Sequence, residues 1–471
     1  MIYQIFSLFY IGCSSSQDSA SDTDSMHAAE TITAEDYRPD VEFSTAKECG
    51  ECHPTHYDQW QQSMHAYAAH SPVFDAMAQK AFRDTSGEVG DFCTSCHSPI
   101  GAIQGETGAS TAATRSDLSK NSVSCEVCHS AVDHAQPVGN LSLSFTTSGE
   151  KYGPYGTEST EGHDSQYSAL LEAPELCGSC HDVYNFPGLR IEEAYTEYAA
   201  SPAEQQGITC QNCHMGTIPG QPSAKTKGAI AVVDGQSYPE RDISSHRFIG
   251  PDYSLIDGFP YPDDLEASAA AQQEMLGQIQ QLLENSVQIS EIRGTQEDID
   301  GTERTVIEVD VKSLVSGHNV PTGFTSERQL WIDITVTNAS GMIVFQSGQI
   351  DRNGDLFDRH SEEVKENVFF FDSDLVNFQS KNIKRQGIPD SPILTEVVFP
   401  FDADYIDKNS LKPLEKRTAR FELDSSVSQY TVNVKLQYRN LPPYLLRELQ
   451  LDDLVPRLHI FTLDAQEMAF Q

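Results

Sequence analysis

The chain has 471 residues, with 31 Lys and Arg against 70 Asp and Glu, a formal net charge of −39 at pH 7. That length fits two or three domains. So acidic a surface excludes nucleic acid and anionic lipid headgroups as partners held by bulk charge, and it favours basic partners.

The chain opens with an apolar run, "MIYQIFSLFYIGC", followed by "SSSQDSASDTDS". Residues 1–13 resemble a bacterial lipoprotein signal with a lipid on Cys13, and residues 14–42 read as a flexible acidic tether. The resemblance implies an outer-membrane lipoprotein in the periplasm or at the cell surface. The run is short and no Lys or Arg precedes it, so a cleaved signal peptide with an incidental cysteine is the alternative. No later apolar run is long enough to span a bilayer.

Residues 43–250 hold ten of the eleven cysteines. They form five Cys-x-x-Cys pairs, each followed at once by histidine: Cys49, Cys52 and His53; Cys93, Cys96 and His97; Cys125, Cys128 and His129; Cys177, Cys180 and His181; Cys210, Cys213 and His214. This spacing places two sulfurs on one turn of chain for thioether bonds to a porphyrin, and the next residue offers an imidazole to its iron. Structural zinc held by cysteine pairs is the competing chemistry. It leaves five histidines unexplained, and only 15 of 471 residues are histidine. The pattern therefore predicts five c-type haems. The region has only short helix-like pieces among Gly, Ser and Pro-rich loops, so the haems are expected to supply its missing core.

Residues 251–290 read as a linker and a long helix. In "DDLEASAAAQQEMLGQIQQLLENS", Leu276, Ile279 and Leu283 form an apolar stripe, and Asp263 and Asp264 suit the N-cap. Residues 291–471 change period to two, as in "TVIEVDVKS", "QLWIDITVTNA", "MIVFQSGQI", "EVVFPFDA", "TARFELD" and "QYTVNVKLQYR". Six or seven short strands predict an antiparallel β-sandwich. The fold class expected is α+β: an α and loop domain packed around five covalent haems, a connecting helix and a C-terminal sandwich. Asp351, Asn353, Asp355 and Glu362 fall at calcium-loop positions, but Leu356 stands where the loop needs glycine. A turn is the stronger reading there, and calcium a weak one.

"CGECHPTHYDQWQQSMHAYA", "VSCEVCH", "YGPYG…H…LCGSCHD" and "CQNCHM…SSHRFIG" resemble multihaem cytochromes c of the cytochrome c-552/4 type, relatives of hydroxylamine oxidoreductase and pentahaem nitrite reductase. The resemblance spans about residues 44–250 and implies that His65, His163 and His246 are distal haem ligands. "SGHNVPTGF" is similar to a segment of a β domain that follows the haem region in such proteins, and this implies the same role for His318. A fifth distal ligand remains open among His56, His70 and His134, with His70 preferred. Alternatively one haem is five-coordinate.

Two departures favour electron transfer over catalysis. All five motifs end in histidine, whereas the active haem of the nitrite reductase uses lysine, and no tyrosine is assignable to the porphyrin cross-link of hydroxylamine oxidoreductase. The expected partners are other redox proteins, such as a quinol-oxidising membrane complex or other cytochromes, with self-assembly through the β domain as a further option. The alternative activity is reduction of a small nitrogen or sulfur oxyanion, nitric oxide or hydroxylamine at an open iron.

Overall fold

A computed structural model describes residues 31–33, 36–38, 41–156, 158–159, 162–185, 188–388, 391–423 and 426–471. Cys13 and the signal-like run lie outside the described residues. Among the described residues no helix is long and apolar enough to cross a membrane.

The architecture is α+β, with short helices first and antiparallel sheets after. Each cysteine motif sits on or directly after a short helix: Ala46–Cys52, Phe92–His97, Cys125–His129, Pro174–Gly178 and Cys210–His214. Local chemistry starts two of them. Thr45 and Glu48 form a capping box before the first motif, and Thr209 and Asn212 form one before the last. Ser63 and Ser71 cap the helices Met64–Tyr67 and Pro72–Asp84.

Part of the expected tether is ordered. Strand Thr31–Thr33 pairs antiparallel with Leu143–Thr146, which also pairs with Ala131–His134. Ile32 is the reason: it lies buried in a small core with Ile100, Ile103, Leu143 and Phe145. A second small cluster, Ala46, Trp60 and Ala66, lies nearby. These clusters are the only apolar cores confined to the first half among the described residues.

The long helix spans Leu265–Glu284, and its Asp264 N-cap accepts from the amide of Ala267. Its face of Met275, Ile279, Leu282 and Leu283 is buried, with Leu276 packed partly against the same core. Two antiparallel sheets follow. One orders the strands Val287–Ile299, Thr302–Ser313 and Lys416–Glu422; the other orders Ile343–Ser347, Gln329–Asn338, Tyr430–Arg439 and Phe461–Phe470. Their alternate residues, such as Ile307 and Val309 on one sheet and Ile332, Ile334, Val434 and Leu436 on the other, share one hydrophobic cluster with the long helix. A third sheet joins Ser391–Val397, Lys381–Ile388 and Tyr405–Asp407.

Two strands were not evident from period alone, Val287–Ile299 and Phe461–Phe470. Their outer parts are polar, with burial concentrated near one end. "EVVFPFDA" is strand only to Val397, and Pro400 opens a 3₁₀ turn in place of a continued ladder.

The calcium-loop expectation is corrected by the contacts. Asp351 accepts from the amides of Asn353 and Asp355 at 2.8 and 2.9 Å and from the Ser361 hydroxyl at 2.7 Å. Asp355 pairs with Arg447 and accepts from the Tyr444 amide, and Glu362 pairs with Lys365 at 2.9 Å. The carboxylates serve a turn braced by protein donors, not an oxygen cage.

Ile334 is fully buried in the middle of the four-stranded sheet. Ile334→Ala should cost about 2–5 kcal/mol, read as a lower denaturation midpoint by circular dichroism with the haem absorbance of the native protein unchanged.

Candidate functional site: paired histidines in a shared cavity

A cavity of about 1820 Å³ runs through the first half of the chain and is closed on one side by residues of the second. Ordinary small-molecule sites hold roughly 300–1,000 Å³, so this space suits several large ligands or one continuous array. All ten motif cysteines and all five motif histidines line it, together with His56, His65, His163, His246 and His318.

The motif histidines share one hydrogen-bonding habit. The Nδ1–H of His53 donates to the Ile230 carbonyl at 2.6 Å, His129 to Tyr152 at 2.6 Å, His214 to Ile249 at 2.8 Å and His97 to Ala68 at 3.4 Å. His181 donates instead to the Glu192 carboxylate at 3.1 Å. Holding the proton on Nδ1 leaves Nε2 with a free lone pair, the state a metal needs. His246 and His318 do the same, with the carbonyls of Ser244 at 3.0 Å and Asn319 at 2.8 Å.

Four motif histidines face a second imidazole at nearly one distance. Ring centroids lie 6.2 Å apart for His53 and His163, 6.3 Å for His181 and His65, 6.4 Å for His129 and His246, and 6.2 Å for His214 and His318. A metal–imidazole bond of about 2 Å on each side, plus the half-width of each ring, requires roughly 6 Å between centroids. Direct ring stacking is closer, as Phe74 on His97 demonstrates at 4.0 Å and 7°. The residues therefore fit an iron porphyrin between each pair.

Burial favours the neutral form of several of these imidazoles. It pulls His65 and His246 down to about 3, and His97 and His318 to about 4. His181 moves the other way. Burial lowers it, but the hydrogen bond and charge of Glu192 outweigh that and raise it to about 9. A carboxylate on Nδ1 makes that imidazole the strongest electron donor of the set.

The motifs also touch one another. Cysteine side chains of different motifs lie beside one another: Cys49 with Cys125, Cys96 with Cys180, and Cys177 with Cys210. Phe248 lies between two of the imidazole pairs, its ring 4.5 Å from His65 and 5.6 Å from His246. It holds φ +47°, a conformation that costs a bulky residue about 1–3 kcal/mol. That strain accompanies a ring wedged between two ligand candidates.

Residues 48–130 match the family model described as cytochrome c554 and c-prime. A penta-heme cytochrome c552 from Thermochromatium tepidum is similar in structure, with a TM-score of 0.57 and 18% sequence identity, over 91% of this chain and 99% of that one. No curated protein matches the chain. At that identity the structural likeness concerns the fold. Together the comparisons support a multihaem c-type cytochrome.

The structure places His70, the preferred fifth distal ligand, away from the cavity. Its Nε2 is bonded to the Lys120 carbonyl at 2.9 Å, and it does not line the cavity. His134 also lies off the cavity, with Nδ1 near the Ala135 carbonyl. His56 does line it, with a buried Nδ1 that has no hydrogen-bond partner. Its ring stands edge-on to His246 at 4.8 Å and to His53 at 6.0 Å, so it flanks two pairs without opposing a motif histidine of its own. Among the described residues no imidazole faces His97. Glu192, Glu197 and Phe248 were missed as site residues. They act through contacts made only in three dimensions and carry no motif.

A cavity this large in a region with such small cores needs a filler. Protein made with every motif cysteine changed to serine, so that no haem is attached, should be cut readily by protease across residues 44–250. Protection equal to that of the native protein would contradict the fit.

Proposed function

We propose that the chain is a pentahaem c-type cytochrome that carries electrons along its haem array. The observation that carries this reading is the repeated 6.2–6.4 Å spacing between four motif histidines and four others in one cavity. Haem bound at these sites supplies reversible one-electron chemistry at iron.

The chain's own residues then have defined duties. The ten motif cysteines tether the porphyrins. His53, His97, His129, His181 and His214 are the proximal ligands, and His163, His246, His65 and His318 oppose four of them. The backbone carbonyls and Glu192 hold each proximal imidazole in the metal-binding tautomer. The closeness of cysteines from different motifs would set neighbouring haem attachment points side by side, and Phe248 spans the gap between the His65 and His246 pairs. Histidine on both faces favours lower potentials than a Met and His pair would. The two antiparallel sheets with one shared core form a sandwich in this reading, and its His318 segment makes it part of the redox unit.

The chain's charge of −39 favours basic redox partners, such as a quinol-oxidising complex or another cytochrome. Anchoring through a lipid on Cys13, facing the periplasm or cell surface, suits that role.

A second reading rests on His97, which has Phe74 beside it and no imidazole opposite among the described residues. An open iron there would bind nitric oxide or hydroxylamine and make the protein a reductase.

Low-temperature EPR of the oxidised protein should count four low-spin haems and one high-spin haem per chain. Five low-spin haems would remove the open site, and fewer than four would break the pairing. Glu192→Gln should raise the reduction potential of one haem, measured by spectroelectrochemical titration, and leave the other four in place. Turnover of hydroxylamine or nitric oxide, blocked by carbon monoxide on the high-spin haem, is the outcome that favours the reductase.

A further inference from the structure

His318 comes from the β half, yet it faces a motif histidine of the first half. The contacts that hold it there converge on one carboxylate. Glu197, on the helix Ala194–Ala199, accepts from the Asn319 amide at 3.1 Å, from the Asn319 side chain, and from the Thr322 hydroxyl at 2.6 Å. Asn319 is the residue whose carbonyl accepts from His318 Nδ1 at 2.8 Å. The chain of contacts therefore runs from Glu197 to Asn319 to the His318 ring, and from there to its partner His214 at 6.2 Å.

Two further contacts are weaker substitutes. The Ala203 amide donates to the Ser316 carbonyl at 3.1 Å on the haem side, and Val320 and Leu411 exchange two backbone bonds of 2.8 Å on the β side. The first grips the start of the loop, and the second holds the Val320 amide, which shares a peptide with the Asn319 carbonyl; Glu197 holds the preceding peptide through the Asn319 amide, and the Asn319 side chain as well. Glycine does not do the work. An added Cβ on Gly317 would meet only Ala203, at an ordinary 3.7 Å. Gly323 is required for its turn, at φ +76°.

Glu197 is half-buried, and a carboxylate drawn partly out of water needs partners. Three hydrogen bonds from one loop converge on it, which holds that loop in one orientation. Three hydrogen bonds to one carboxyl group decide whether a short loop presents its imidazole or swings away.

We propose that Glu197 is a positioning residue that orients His318, through Asn319, as the distal ligand of the haem on His214. This rests on the ligand assignment proposed above. In the holoprotein, His318→Ala should convert one haem to high-spin by low-temperature EPR and let the reduced protein bind one additional carbon monoxide per chain. Glu197→Ala should convert the same haem, in part or fully. Glu197→Gln, which keeps an acceptor oxygen, should retain most of the low-spin signal. The double variant, Glu197→Ala with His318→Ala, should add nothing beyond His318→Ala.

The outcomes separate the two claims. No change in His318→Ala overturns the ligand assignment and this inference with it. A clear change in His318→Ala with none in Glu197→Ala overturns the positioning role alone. If Glu197→Ala does not accumulate, Thr322→Val deletes one of the three bonds from the loop side. It should raise carbon monoxide binding at that haem above the wild-type level, and no rise would overturn the inference.

Discussion

Everything in the first half depends on imidazoles held in one tautomer. A ring that keeps its proton on Nδ1 and gives it to a backbone carbonyl points a bare Nε2 into the interior. Burial then favours the neutral ring at His97, His129 and His214. Four motif histidines meet a second ring at a spacing that fits a metal-centred plate. The folding problem is thereby inverted: this half is built around a large shared space, with small apolar clusters at its margins.

The second half is organised by ordinary packing. Two antiparallel sheets and the long helix bury one continuous set of Val, Ile, Leu and aromatic side chains. That rigidity is what allows a loop from the β half to serve the other half. The turn from Ser316 to Gly323 is gripped on both sides, and Glu197 holds the amide and side chain of Asn319 next to His318. Strain at Phe248 and the buried carboxylate Glu192 lie against the same cavity, where local cost is tolerated because the surrounding structure determines each conformation.

The histidines are not equivalent. Carbonyl acceptors leave most imidazoles as neutral donors, whereas Glu192 lends negative charge to His181. That difference sets the His181 site apart electrically from the others. His97 stands apart, with an aromatic ring stacked beside it and no imidazole opposite.

Much was legible in the amino-acid order. The five Cys-x-x-Cys-His motifs are local, because both sulfurs and the imidazole must lie on one turn of chain, so spacing alone names them. The long helix and most strands follow from period, because side-chain direction repeats every 3.6 or two residues. The strand Thr31–Thr33 and the two polar-edged strands escaped, because pairing across the chain and not period holds them in place. The distal partners were suggested by resemblance, but which ring faces which motif was set only by tertiary structure. So were the place of His70, whose Nε2 meets a carbonyl fifty residues away, and the contacts of Glu192, Glu197 and Phe248. Bonds to a haem's near face are written in sequence because they are neighbours in the chain. The far face is filled from a distance, and only folding decides which side chain arrives there.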